Sequence, residues 1–219
     1  MATHASRYVR AMGWYRERLL PRVIDRACAT PELSRWRSRA MEGIGGVVVE
    51  PGFGSGLNVP HYPPEVRHVF AVDPATLGRE LAAERIAASD VTIEFVGLDG
   101  ESLPLEDHSC DAGLLTFTLC TIPDAEAALG ELRRVIRPGG TLHFAEHGLA
   151  PDERVRAWQR RIEPVQKRVA DGCHLTRAIP DLITAAGFEM EWSDAEYARG
   201  PKPWSWFFVG RARNPTPPG

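Results

Sequence analysis

Val47-Val48-Val49-Glu50-Pro51-Gly52-Phe53-Gly54-Ser55-Gly56 joins an apolar run to a glycine-rich turn. Consecutive valines suit a strand buried on both faces, as parallel strands covered by helices are. Glycines just beyond it permit positive φ and let the backbone approach a ligand closely. Outward from this stretch the alternation repeats. Residues 69–72, 91–96, 112–117 and 141–145 read as further strands, with helical spacing over 77–88 and 125–136 between them. Asp124 sits where a helix N-cap belongs, and Pro138-Gly139-Gly140 reads as a hard stop and turn. Two last apolar runs, 188–192 and 205–211, are predicted to form a hairpin at the sheet edge. The expected fold is α/β, a doubly wound, mostly parallel seven-stranded sheet with N-terminal helices and a helical insertion after strand 5.

Both flanks are helical. Tyr8, Met12, Tyr15 and Leu19 share one face, then Thr30-Pro31 offers an N-cap and a first-turn proline. Leu33, Trp36 and Ala40 continue that second helix until Gly43, Gly45 and Gly46 end it. Downstream, Val155, Trp158, Ile162, Val165 and Val169 predict a long helix kinked near Pro164. A shorter helix over 179–186 stops at Gly187. The expected organisation is a helical cap or lid over 1–45, a main domain over 46–213 and a frayed tail over 214–219. Within the main domain, residues 148–176 form an insertion above the strand ends, where substrates bind in such sheets.

A chain of 219 residues with 43% hydrophobic content has enough apolar material for a core, which excludes a disordered chain. Lys and Arg number 26 against 29 acidic residues, a net charge of −3 that gives no reason to expect nucleic acid or an anionic membrane. No apolar run reaches the ~18 residues of a membrane span. Cys28, Cys110, Cys120 and Cys173 show no CxxC spacing, so reduced thiols and no metal site are expected. These features predict a cytoplasmic protein, and a monomer or homodimer is expected.

The glycine turn separates two ligand classes. A dinucleotide fingerprint needs glycine spaced G-x-G-x-x-G, and counting from Gly52 the last position is Leu57. A carboxylate at Glu50 opposes a pyrophosphate and favours a cation. Asp73, ending the second strand, is placed to accept hydrogen bonds from ribose hydroxyls. A nucleoside bearing positive charge, such as S-adenosylmethionine, matches this set.

Residues 47–73 resemble motif I and the following acidic position of class I S-adenosylmethionine-dependent methyltransferases. The likeness continues through Gly97-Leu98-Asp99-Gly100, Ser109-Cys110-Asp111 and Arg134-Val135-Ile136-Arg137-Pro138-Gly139-Gly140, blocks similar to the type 11 branch. Further on, Thr118-Leu119-Cys120-Thr121-Ile122, Glu146-His147, Trp158-Gln159 and Asp171-Gly172-Cys173-His174-Leu175-Thr176-Arg177 resemble the methyltransferase-like 7 family, whose animal members are similar to thiol methyltransferases. That family's membrane-anchoring N-terminal segment has no counterpart in these residues. The resemblance implies that Glu50 contacts the methionine amino group, Gly52 and Gly54 floor the cofactor, and Asp73 holds the ribose. It implies Asp99 and the Gly100 amide at the adenine edge and Thr116 near the transferable methyl, with S-adenosylhomocysteine as the product.

Plainer roles stand beside these. Asp73 could cap a helix, Asp99 could be a solvated loop acid, and Trp14, Trp36 and Trp158 suit the core. Cys120 and Cys173 read as small packing residues, because methyl transfer needs no covalent intermediate. His147 and His174 are each either a base on the acceptor side or a hydrogen-bonded structural residue. A thiol needs little help to ionise, and a phenol or amine places the same demand, more steeply for phenol, so the residues alone leave the acceptor open and the resemblance points to sulfur.

Overall fold

In the computed structural model, residues 20–74, 76–97, 99–170 and 172–216 are described. The expected helix through Tyr8, Met12, Tyr15 and Leu19 lies outside them, as do Trp14, Leu98, Asp171 and the last three residues. In chain order the elements are α1 (Leu20–Cys28), α2 (Pro31–Ala40), β1 (Gly46–Pro51), β2 (Val66–Val72), α3 (Thr76–Ala87), β3 (Thr92–Gly97) and β4 (Cys110–Thr116). They continue with α4 (Ala125–Val135), β5 (Ile136–His147), α5 (Glu153–Val169), α6 (Ile179–Ala185), β6 (Glu189–Tyr197) and β7 (Trp206–Arg213). Short 3-10 turns occupy Val59–His61 and Lys202–Trp204.

The seven strands form one sheet in the order β3-β2-β1-β4-β5-β7-β6. The first five run parallel, while β7 is antiparallel to β5 and β6 to β7. Strand order reverses at β1, which pairs with β2 on one side and β4 on the other. A crevice at the carboxyl ends of such central strands is where open α/β sheets take their ligands.

Each face of the sheet carries a core. Leu115, Leu129, Leu132, Ile136, Phe144, Ile179, Ile183 and Phe188 build one, with α4 and α6 over it. Trp36, Ala40, Ile44, Val48, Val69, Leu114 and Val209 build the other. Helix α2 belongs to this second layer. Thr30 caps it by accepting the Leu33 N–H at 3.3 Å, Pro31 starts it, and Trp36 and Ala40 bury its inner stripe.

Three expectations need correction. Pro138-Gly139-Gly140 is not a loop but part of β5, which starts directly after α4 ends at Val135. Between the pairs Cys110↔Ile136 and Ala112↔Thr141, two steps on β4 face five on β5, so the extra residues bulge. Gly140 is needed there, since a Cβ would lie 2.6 Å from the Asp111 carbonyl oxygen. Asn214, expected to begin the frayed tail, is buried. Its backbone pairs with Gly139 and Gly140, and its amide donates to the Arg133 and Ile136 carbonyls at 3.0 and 2.6 Å, closing the end of α4. Trp158, expected in the core, is 58% exposed on α5. That helix runs through Pro164 and buries Val155 and Gln159 instead. Among the described residues no helix is long and apolar enough to cross a membrane.

Candidate active site

The glycine turn emerges from β1 with Gly52, Gly54 and Gly56 at φ of 72°, 57° and 72°. These left-handed values suit glycine and strain any residue with a Cβ. Close packing adds a second requirement at Gly52, where a Cβ would sit 2.2 Å from Thr118 Oγ1. Asp73, at the end of β2, accepts the Gly54 N–H at 2.8 Å and so ties the turn to its neighbouring strand. Gly100 lies against the end of β1, where a Cβ added to it would sit 3.4 Å from Pro51 Cβ. The Asp99 carboxylate is exposed and accepts the Glu101 N–H at 2.8 Å, a local turn bond.

Glu50 is 1% exposed. Its Oε1 accepts from the Asn58 amide at 2.8 Å and its Oε2 from the Tyr62 hydroxyl. The same Asn58 amide nitrogen donates to Thr116 Oγ1 at 2.8 Å, while Asn58 Oδ1 accepts from Arg37 at 3.0 Å. Arg37 also donates to Thr116 Oγ1 at 3.1 Å, and its guanidinium lies 4.7 Å from the Phe117 ring centroid. Sequence reading singled out Glu50 and Thr116, and the structure joins them through Asn58. It missed Arg37, Asn58 and Tyr62, which belong to no motif and come from α2 and the segment after the glycine turn.

Burial dominates the charges here. Desolvation pushes the Glu50 carboxyl up to about 7, against the hydrogen bonds from Tyr62 and Asn58 and the Arg37 cation, with Asp73 adding to the rise. Burial lowers Arg37 from its ordinary value, opposed by Glu50 and Glu146 among others. One buried cation thus stands among several acids.

Beyond β4 the chain turns sharply. Phe117 adopts φ of 56°, rare for an aromatic residue, and its ring meets Phe207 edge-on at 5.6 Å. This reversal aims the next amides at Glu146. Glu146 is fully buried, and its Oε1 accepts the Thr118 and Leu119 N–H groups at 2.7 and 2.9 Å. The Cys120 N–H approaches the other oxygen at 3.4 Å.

His147 ends β5 half-buried, with its Nε2 3.0 Å from the Cys173 sulfur. Burial works against its cation, but the Cys173 contact and Glu146 outweigh it, so its pKa rises. The His174 ring instead contacts the Cys120 carbonyl at 3.1 Å, and its backbone N–H donates to that oxygen at 2.7 Å. Burial and the Arg177 cation lower the His174 pKa. Segment 172–177 is stitched on both sides. Glu163 accepts the Leu175 and Thr176 N–H groups at 2.9 and 2.8 Å, and Arg177 donates to the Leu119, Ile122 and Pro123 carbonyls.

Residues 49–144 match the family model described as a methyltransferase domain. Thiol S-methyltransferase TMT1B of Rattus norvegicus is 35% identical over 173 residues, 74% of this chain and 66% of that protein. Its Homo sapiens counterpart is 35% identical over 182 residues, covering 78% and 71%. This chain therefore spans about two thirds of the length of these relatives. A crystal structure of a SAM-dependent methyltransferase from Methanosarcina mazei superposes with a TM-score of 0.60 at 20% identity, covering 77% of this chain and 92% of that one.

The site fits such a cofactor. Glycines leave its floor without side chains, and two buried carboxylates, Glu50 and Asp73, flank the turn where a diphosphate would need cations. On sequence and fold alike, this chain belongs to the family of S-adenosylmethionine-dependent methyltransferases.

Proposed function

We propose that this chain transfers a methyl group from S-adenosylmethionine to the sulfur of a small-molecule thiol. The bound cofactor supplies an electrophilic methyl carried on a sulfonium. One observation carries the reading on the cofactor side: the buried Glu50–Asn58–Arg37–Thr116 network beside the glycine turn. Its opposed charges suit the zwitterionic amino-acid end of the cofactor, Glu50 taking the ammonium and Arg37 the carboxylate. Gly52 and Gly54 form the floor, Asp73 takes the ribose, and Asp99 with the Gly100 amide addresses the adenine edge. Thr116 borders the methyl. The relatives named thiol S-methyltransferases support sulfur as the acceptor.

On the acceptor side, His147 takes the thiol proton and His174 lines the same wall. The His147–Cys173 contact supports this, since that imidazole already lies at hydrogen-bonding distance from a thiol. An in-line displacement develops no large oxyanion, so alignment and exclusion of water do most of the work. Residues 20–40 cover the amino-acid end of the cofactor through Arg37. The four thiols, all free, support a reducing, cytoplasmic setting for a monomer or homodimer.

An acceptor screen of thiols against phenols, amines and lipid headgroups, read by S-adenosylhomocysteine release, tests the proposal. Turnover confined to phenols or amines would overturn the assignment to sulfur. Asp73→Ala is expected to weaken S-adenosylhomocysteine binding at least tenfold, or ~1.4 kcal/mol, by calorimetry. An unchanged affinity would remove Asp73 from the cofactor site. His147→Ala is expected to lower kcat by about a hundredfold while cofactor affinity stays near wild type, and full turnover in that variant would exclude His147 as the base.

A further inference from the structure

Three soft or borderline ligand atoms converge at the acceptor end of the sheet. Cys120 Sγ and Cys173 Sγ are 3.9 Å apart, His147 Nε2 is 3.0 Å from Cys173 Sγ, and all three atoms lie within 4.8 Å of one another. They are 26 and 53 residues from Cys173 in the chain, so no local spacing announces them. The fold assembles them. Cys120 follows the β4 reversal and is anchored through its N–H to Glu146, the neighbour of His147. The Cys173 segment is held against Cys120 by the His174 N–H to the Cys120 carbonyl.

We propose that Cys120, His147 and Cys173 form a three-ligand site for a thiophilic divalent cation, with Zn2+ as the probe ion. Tetrahedral zinc, with bonds of about 2.3 Å to sulfur and 2.0–2.1 Å to nitrogen, sets two sulfurs ~3.8 Å apart and sulfur from nitrogen ~3.5 Å. The sulfur pair already has that separation, and His147 Nε2 would have to move roughly half an ångström away from Cys173 Sγ while staying in reach of Cys120 Sγ, which lies within 4.8 Å of it. Charge favours occupancy as well. Two thiolates and one divalent cation sum to zero, so the three ligand groups, with Cys120 and Cys173 only 2% and 8% exposed, carry no net charge once the ion is bound. Three protein ligands leave one position open, the pattern of zinc sites that take an exchangeable ligand rather than closed structural ones.

Uptake balances simply. Each Cys S–H gives its proton to solvent and the neutral imidazole contributes its Nε2 lone pair, so two protons appear per ion bound at a pH above the His147 pKa. With the ion in place that nitrogen is a ligand, so ion binding and the base role proposed above are alternative uses of one atom.

The test uses reduced full-length protein stripped with a chelator and titrated with Zn2+ or Co2+. One equivalent bound, two protons released and a thiolate-to-cobalt charge-transfer absorption are expected. Cys173→Ser and Cys120→Ser should each weaken binding by at least about a hundredfold while S-adenosylhomocysteine binding reports an intact fold. His147→Gln should weaken it too. Less than a tenth of an equivalent bound by folded, reduced protein overturns the site. So does equal binding by the Cys120→Ser/Cys173→Ser double variant, or recovery of the pair as a disulfide that takes up no ion. None of these readouts depends on methyl transfer, so failure of the thiol assignment leaves the metal result standing.

Discussion

Glu50→Gln is expected to unfold at a higher temperature than the wild type at pH 7.5 and yet to lose S-adenosylhomocysteine affinity by about a hundredfold, or ~2.7 kcal/mol. Both effects come from one buried carboxylate. Its pKa of about 7 in the folded chain lies above the ordinary 4.5, so the native state holds an extra proton between those values. Stability contributed by that proton is complete below pH 4.5 and drains away as pH rises through 7. Glutamine carries no such burden. The gain for the variant is of order 1–3 kcal/mol above pH 7 and shrinks toward zero near pH 4.5. Binding reads the same group in the opposite sense, because a cationic ligand favours the carboxylate. Wild-type affinity is expected to fall as pH drops below 7, by up to tenfold per unit, and to level off above it. Calorimetry from pH 5.5 to 8 checks this, and a flat wild-type profile would detach Glu50 from the ligand.

Arg37→Met should be the more damaging change. It deletes the cation beside Glu50 and leaves Asn58 Oδ1 without its 3.0 Å donor and Thr116 Oγ1 without one of two. Breaking a buried charged network in this way costs about 3 kcal/mol, measurable by urea unfolding. Cofactor affinity should drop by at least a hundredfold, or ~2.7 kcal/mol, as the carboxylate of the amino-acid end loses its partner. With the cation gone the Glu50 pKa rises further, moving the pH midpoint of any residual binding upward. The pair is coupled through Asn58, so Arg37→Met/Glu50→Gln should depart from additivity by at least ~1 kcal/mol. Additive losses would show that the two residues serve separate ends of the site.

The sheet was legible because its strands are apolar runs and its turns are glycine or proline, so period and punctuation agreed over most of the described chain. Pro138-Gly139-Gly140 misled because those residues usually end elements, and only pairing with β4 and contact with Asn214 keep them in a strand. Trp158 misled through its place on a helical stripe that stays largely in solvent. The glycine turn and the acids at 50 and 73 were visible as a local pattern. Arg37 was not, since one arginine among many carries no mark and its partners lie 21 and 79 residues away. Glu146 was noticed only beside His147, and its role as acceptor for three amides depends on the reversal at Phe117. The signal that could have found Arg37 is its position beside Trp36, on the buried stripe of an otherwise polar helix.

Asn58 joins Glu50, Arg37 and Thr116. Its amide must offer hydrogen on one side and a lone pair on the other, and it does so from a buried position. Aspartate would set a second acid, beside Asp73, against Glu50, leucine would silence both contacts, and glutamine is one methylene longer. In a survey of every single replacement along this chain, position 58 should therefore stand among the least forgiving, although it touches no reacting atom.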